Sequence, residues 1–507
     1  MNKKIIKIEK LSKKIREIRK KRKITVGLSH GVFDLVHLGH IFHFNEAKKK
    51  VDILIVSITS DKYVFKGPRR PFFSQEQRME VISNLESVDY VILSDSQSSL
   101  NIINSLKPNI YFKGPDYKDN SKDFTKKIIE ENDSVKKNKG TTYYTTAKKY
   151  SSTLLLNKIR FQKTKNNLVI QKIKKNFSFE RIKDIIDSLN DVTPLALGEI
   201  IIDKYVFCEA LGKSGKEPML VLRDIYEELY LGGSGAIANH LSAFCKKIFL
   251  LGMIGEKKEQ LKFIKKNIKP AIIFDYICKK KSPTIIKKRY LDSISKSKIL
   301  GVYSLNDSTI SQNQNINLIS KFLRINNKTD LTILSDYGHG FISKTFSKKL
   351  IKQSKFIAVN AQINAANFGH HSLENYYNAD FMIINENELN HEMRSKSDKI
   401  RELMKNLSNR LKINFLAVTR GSSGVMLYNR SKNSFYHSEA YADRIVDKVG
   451  AGDTMLSILS ICLYKKIDPD LSLLISSFCA AQSVKSIGNK FSVDKSILLK
   501  DLQHYLI

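Results

Sequence analysis

The chain has 507 residues, long for one hydrophobic core, and its 42% hydrophobic content fits two or three folded domains rather than a disordered polymer. No apolar run has the length of a bilayer crossing, and the basic start Met1-Asn2-Lys3-Lys4 leads into no secretory signal. Five scattered cysteines (Cys208, Cys245, Cys278, Cys462, Cys479) offer neither a disulfide framework nor a zinc site, so a cytoplasmic location is expected. The net charge of +36 comes from lysines spread along the chain, as in Lys48-Lys49-Lys50 and Lys279-Lys280-Lys281; it reads as a basic surface suited to anionic phosphates, with no nucleic-acid partner.

Residues 1–23 read as an N-terminal extension with a Lys/Ile-rich amphipathic helix over 1–20. A first α/β domain is expected over 24–161. Its strands are Ile24–Leu28, Val51–Ser57, Val88–Leu93 and Asn109–Phe112; helices follow His37 and span Gln75–Leu85. Such alternation implies a Rossmann-like parallel sheet with crossover helices and ligands at the carboxyl ends of its strands. A linker and helix are expected over 162–192, the polar Gln162–Asn176 being the linker and Phe179–Leu189 the helix. A second α/β domain is expected over 193–507, with strands at Ala196–Asp203, Ile248–Leu251, Leu331–Leu334, Phe356–Val359, Phe381–Ile384 and Phe415–Thr419.

The first domain carries Gly31-Val32-Phe33-Asp34-Leu35-Val36-His37-Leu38-Gly39-His40 at a strand-to-helix turn. Two histidines spaced H-x-G-H at a helix start can reach one phosphate, Gly39 allows close backbone approach, and the helix N–H groups add positive potential. Lys66-Gly67, Arg69-Arg70-Pro71, Gln77-Arg78-Met79, Lys113-Gly114-Pro115-Asp116-Tyr117 and Ser151-Ser152-Thr153 follow in order. With them the domain resembles the cytidylyltransferase-like family of nucleotidyltransferases, and within it the adenylyltransferase half of bacterial ADP-heptose synthesis. The resemblance implies that His37, His40, Ser151, Ser152 and Thr153 contact the triphosphate and that Lys66 and Arg78 stabilise pyrophosphate. Phe33 and Gly39 line the nucleotide, while Asp34 holds the turn or helps place metal and nucleotide. Lys113 and Asp116 face the sugar. Gly114-Pro115 and Tyr150 depart from the family's pattern. His30 and His43 match nothing in it.

The second domain carries Val449-Gly450-Ala451-Gly452-Asp453-Thr454. The glycine-rich turn aims N–H groups at a transferring phosphoryl, and Asp453 is placed to accept a proton from the attacking hydroxyl. The runs Gly198-Glu199, Asp203-Lys204-Tyr205, Gly232–Asn239, Ser335–Gly338, Asn385–Glu388 and Thr419–Gly424 accompany it. Together they resemble the ribokinase-like sugar kinases, most closely the heptose-phosphate kinases. The resemblance implies that Asp203, Gly232, Gly233 and Asn239 bind sugar hydroxyls and that Thr419, Gly421, Gly450, Ala451 and Gly452 line the nucleotide. Asn385 and Glu388 organise nucleotide phosphate and Mg2+ through water. Segments near Pro218–Leu222 and Pro283–Ile286 correspond to a small β lid that often forms a dimer contact, so a homodimer is expected. Asn360-Ala361-Gln362 replaces the Asp-Pro-Lys run of heptose kinases; it either alters acceptor or activity, or belongs to a harmless Asn-rich loop. His339, His370 and His371 are expected on loops.

The combined resemblance is to two-step sugar-nucleotide synthesis. It implies phosphorylation of a sugar phosphate by ATP, then nucleotidyl transfer to a sugar 1-phosphate, with Mg2+ as cofactor, ATP or CTP and sugar phosphates as ligands, and heptose as the sugar. Fusions of this kind place the kinase first; here it comes second. The alternative is a CTP-using transferase for another sugar or polyol phosphate, joined to a kinase-like domain of different specificity or without activity.

Overall fold

The computed structural model describes residues 3–64, 71–96, 98–114, 127–146, 168–362, 372–395, 399–442 and 445–506. The chain divides into two compact units, essentially 1–168 and 169–502.

The first unit is a five-stranded parallel sheet in the order β3-β2-β1-β4-β5. Its elements run α1 (Ile8–Lys21), β1 (Val26–Gly31), α2 (Leu38–Lys48), β2 (Ile53–Thr59), α3 (Gln75–Ser83), β3 (Tyr90–Ser94), α4 (Leu100–Leu106), β4 (Ile110–Lys113), α5 (Lys127–Lys137) and β5 (Thr141–Tyr144). β2 is buried along its whole length, as a strand covered on both faces must be, which is why the sequence shows a continuous apolar run there. α1 is more than an appendage. Leu11 and Ile15, one helical turn apart, are buried in the same cluster as Val26, Leu28 and Ile55, so residues 8–21 belong to this unit rather than to an extension.

The second unit opens with α6 (Leu168–Asn176) and α7 (Phe179–Ser188). The expected linker therefore ends earlier than Asn176. Ile170 and Ile173 are buried and Lys172 pairs with Asp470 at 2.5 Å, which ties this helix to the second unit. Then follow β6 (Pro194–Lys213), β7 (Leu220–Gly233), α8 (Ser234–Leu241), β8 (Ile248–Gly255), α9 (Leu261–Asn267), β9 (Ile272–Lys279), β10 (Ile285–Asp292) and β11 (Lys298–Ser304). The chain continues through α10 (Gln312–Asn326), β12 (Leu331–Asp336), α11 (Lys344–Gln353), β13 (Ile357–Ala361), β14 (Phe381–Asn385), α12 (Glu386–Glu392), α13 (Ile400–Leu411) and β15 (Phe415–Thr419). It closes with β16 (Val425–Asn429), β17 (Ser434–Ser438), α14 (Ala451–Tyr464), α15 (Pro469–Ser483) and α16 (Lys495–Leu506).

The 20-residue β6 organises this unit. Its first half lies between β8 and β12 in the main sheet, Pro194–Gly198 pairing parallel with Leu331–Ser335 of β12 and Leu195–Glu199 with Phe249–Met253 of β8. Its second half leaves that sheet and pairs antiparallel with β7 and parallel with β10, which in turn pairs with β11. The result is a small lid continuous with the main sheet. β6 is buried through Cys208 except at Lys204, only its last five residues, Glu209–Lys213, are exposed, and β11 is exposed at every position.

Candidate functional site

In the first unit His37 is the N-cap of α2, and its Nδ1 accepts from the Gly39 N–H at 3.1 Å. His40 returns the contact, its Nδ1 accepting from the His37 N–H at 3.4 Å. The rings stack with centroids 3.9 Å apart. Because both Nδ1 atoms accept, each neutral ring carries its proton on Nε2. Burial lowers the His37 pKa. The pair thus carries two ring N–H groups at a helix N-terminus, a donor chemistry that suits an oxyanion of phosphate. Phe33, at φ +47°, packs edge-on against His40 and holds the turn. Asp34 accepts from the Phe72 and Phe73 N–H groups at 2.7 and 2.9 Å, tying the segment after β1 to the segment before α3. His43 is buried between Ser29 and Thr145, 2.8 Å from each, and burial pushes its pKa down to about 4.

Two expectations for this unit are corrected. Arg78 is 1% exposed, and its guanidinium is spent inside the protein: Nε on the Phe73 carbonyl, and the terminal nitrogens on the Val32 and Thr59 carbonyls and Asp61. It ties together the segments after β1 and β2 and is a positioning residue. Lys113 is 8% exposed and pairs with Glu131 at 3.0 Å; against the upward push of burial, this ammonium holds the Glu131 pKa down to about 2. The ion pair braces β4 against α5. Lys66, Asp116, Ser151, Ser152 and Thr153 lie outside the described residues.

In the second unit the carboxyl ends of β12, β14 and β15 and the start of α14 provide the site. Gly450 caps α14 at φ +92°, a backbone conformation that favours glycine, and a Cβ there would meet Asn489 Oδ1 at 2.2 Å. Ala451, Gly452 and Asp453 form the first turn, where N–H groups have no intrahelical acceptor. The turn is entered through buried Asp447, which accepts from Tyr205 Oη, Lys298 Nζ and the Val449 and Gly488 N–H groups. Burial pushes the Asp453 carboxyl up to about 7; Asp203 adds to the shift, while a 2.8 Å hydrogen bond from Tyr337 Oη and the charge of Lys287 oppose it.

Asp203 pairs with Arg289 at 2.5 Å and lies against Gly232, where a Cβ would sit 2.4 Å from its Oδ2. Gly233 follows as the N-cap of α8. Asn239 is corrected: its amide bonds the Asn267 carbonyl and the Lys269 N–H, joining α8 to the end of α9, which leaves it committed to a structural contact. Asn385 and Glu388 form a reciprocal capping box at α12. Thr419 ends β15, and Gly421 begins the turn that follows. Asn360 bonds the Ile383 carbonyl across β13 and β14, and His339 is buried against Asp307 rather than exposed on a loop. His370 and His371 lie outside the described residues.

Residues not singled out from the sequence complete the site. Tyr337 stood in the quoted Ser335–Gly338 run and holds Asp453; Lys287 and Arg289 lie on β10 without any signal that separates them from other lysines and arginines. Glu199 is fully buried, accepts from the Tyr337 and His339 N–H groups, and is pushed up to about 8 by burial and by Asp336.

The pfkB carbohydrate kinase model matches residues 195–496, and the cytidylyltransferase-like model matches residues 28–158. The chain belongs to the pfkB family of carbohydrate kinases. A cytidylyltransferase-like domain precedes its kinase domain, so nucleotidyltransferase and kinase domains share one chain. Among curated relatives, the bifunctional protein HldE of Syntrophotalea carbinolica is 33% identical over 114 residues, 22% of this chain and 23% of that protein. HldE of Campylobacter fetus is 25% identical over 309 residues, 59% of this chain and 64% of that protein. These alignments thus cover between about a quarter and less than two thirds of the relatives' length. Phosphofructokinase-2 from Escherichia coli superposes with a TM-score of 0.50 at 14% identity, over 62% of this chain and 99% of that one, which shows the fold of the kinase unit. Kinases of the pfkB family use ATP. Among the described residues no helix is long and apolar enough to cross a membrane, and no three candidate metal ligands cluster.

Proposed function

We propose that this pfkB-family chain makes a sugar nucleotide in two steps, in the cytoplasm: ATP-dependent phosphorylation of a sugar phosphate, then nucleotidyl transfer to a sugar 1-phosphate. Heptose 7-phosphate is the proposed acceptor and ADP-heptose the proposed product, on the strength of the HldE relatives. The observation that carries the kinase step is the Tyr337–Asp453 hydrogen bond at the first turn of α14. Tyr337 occupies Oδ1, so Oδ2 accepts the proton as the acceptor hydroxyl oxygen attacks the γ-phosphorus and ADP leaves. The N–H groups of the Gly450–Asp453 turn receive the negative charge of the phosphoryl in transit. Asp203, held by Arg289, orients acceptor hydroxyls.

Asn385 and Glu388 fit a magnesium ion only through water, because each side chain is drawn back into the capping box of α12. When bound, Mg2+ neutralises phosphate charge on the nucleotide. In the first unit the stacked His37 and His40 donate to the triphosphate while an oxygen of the sugar 1-phosphate attacks the α-phosphorus and pyrophosphate leaves; no bond to the enzyme forms. A homodimer through the lid is supported by exposed Leu220, Ile225, Leu300 and Val302 on its strands and by exposed Met219 just before β7.

Phosphorus NMR of the purified protein with Mg2+, ATP and heptose 7-phosphate, and separately with the 1-phosphate, tests both steps. A bisphosphate in the first mixture and pyrophosphate in the second are expected. Absence of either removes the corresponding step.

A further inference from the structure

β10 places Ile285, Lys287, Arg289 and Leu291 on one face, alternating with the outward residues. Its parallel register sets Lys287 beside Asp203 of β6, and its antiparallel register sets Lys287 opposite Tyr303 of β11. Lys287 is 8% exposed. Its Nζ lies 5.2 Å from the Tyr337 ring centre and 5.8 Å from that of Tyr303, and it makes neither a hydrogen bond nor an ion pair among the described residues. The acids nearest it are otherwise engaged. Asp203 is paired with Arg289, and Asp453 is hydrogen-bonded by Tyr337.

Arg289 is ion-paired with Asp203, whereas Lys287 is an ammonium largely taken out of water with neither a hydrogen bond nor an ion pair among the described residues. Such a group is costly unless an anion meets it. A neutral sugar offers only hydroxyl lone pairs, whereas a phosphate monoester offers full charge and several acceptor oxygens. The phosphoryl in transit is already met by the first turn of α14, and Lys287 stands on the lid strand beside the sugar-binding carboxylate. We infer that Lys287, beside the Arg289–Asp203 pair, binds the phosphate that the acceptor already carries and so selects sugar phosphates over free sugars. This rests on the kinase reading above for the location of the acceptor, and it assigns the discrimination to one side chain.

The test is titration calorimetry of the full chain without nucleotide, using sedoheptulose 7-phosphate and heptose 7-phosphate against the corresponding free sugars. Wild type should bind the esters about tenfold or more tightly than the sugars, the worth of a charge-assisted contact. Lys287→Met should lose that preference while binding the free sugars and ATP as before, and Lys287→Arg should keep it. Lys287→Met should also unfold at a higher temperature than wild type, because a buried unpaired charge is gone, so a misfolded variant is recognised at once. The inference is overturned if wild type shows no preference for either ester, or if Lys287→Met retains it. It is also overturned if Lys287→Met binds the esters normally and loses only kcat, which would place the ammonium on the phosphoryl in transit. Ester preference that depends on Lys287, in a protein that yields no bisphosphate, would remove the kinase step and leave the phosphate clamp standing.

Discussion

Tyr337 Oη donates to Asp453 Oδ1 at 2.8 Å, joining the residue that follows β12 to the first turn of α14. The bond fixes the carboxylate's orientation and opposes the rise in its pKa caused by burial. Asp453 is a base only when ionised, so kinase kcat/KM should climb with pH along a limb centred on about 7. Tyr337→Phe removes a stabiliser of the ionised form. The limb should therefore move to higher pH, by about one unit, and kcat should fall. A pH–rate profile of the two proteins checks the sign; an unmoved limb would show that the titrating group is not Asp453.

The same carboxyl bears on stability. Its folded pKa of about 7 lies above the ordinary value for aspartate, so between roughly pH 4 and pH 7 the folded state keeps a proton that the unfolded chain has released. Its contribution is therefore most favourable at low pH and is lost as pH rises through 7. Asp453→Asn should abolish phosphoryl transfer yet raise the melting temperature at pH 8, with little difference at pH 5. Equal shifts at both values would contradict this.

How far such features are visible before folding depends on whether a residue type has one use or several. The parallel strands were legible because burial on both faces demands continuous apolar runs, as in Ile53–Thr59. The turn before Asp453 was legible because Gly450-Ala451-Gly452 marks a glycine-rich entry to a helix, and Gly450 does cap that helix at φ +92°. Arg78 was not. A guanidinium suits pyrophosphate and also suits four backbone and carboxylate acceptors, and only the fold shows that the latter claim it. Asn239 has the same ambiguity: an amide that can bind sugar hydroxyls can equally tie two chain segments. Lys287 is invisible in a chain with 86 lysines and arginines until its burial and lack of an acceptor are known. The helix expected over 1–20 was placed outside the first domain, and 168–176 within the linker, because a Lys-rich helix with a narrow apolar stripe does not show in its sequence what it packs against.

For Arg78 the two roles separate by experiment. Arg78→Met leaves the Val32, Thr59 and Phe73 carbonyls and Asp61 without their donor, in a site where nothing replaces it. Losing one side of such a buried charged network costs about 3–5 kcal/mol. Thermal unfolding of the full chain should show the nucleotidyltransferase unit melting early while kinase activity persists. A variant that melts normally and only binds pyrophosphate weakly would restore the direct role.

Monomer–dimer equilibrium tests the lid. Leu300 and Val302 are exposed on β11, and Met219, Leu220 and Ile225 on or beside β7. If these faces meet in a second copy, Leu300→Glu puts a charge into an apolar contact and should give a monomer by sedimentation at concentrations where wild type is dimeric. A wild type that is monomeric throughout would end the dimer proposal.

His37 does two things at once, and asparagine can do only one of them. As N-cap its Nδ1 accepts from Gly39, which leaves its proton on Nε2 as a second function of the same ring. Asparagine is among the best N-caps, since its Oδ1 accepts in the same way, but its short side chain has no second donor at the position of Nε2. His37→Asn should therefore keep the melting temperature and lower nucleotidyl transfer by about 10²–10³, the worth of one preorganised donor. His37→Ala should lose the same activity and in addition about 1 kcal/mol of stability from the missing cap. Equal activity in wild type and His37→Asn would reduce His37 to a helix cap and leave His40 as the phosphate contact of that pair.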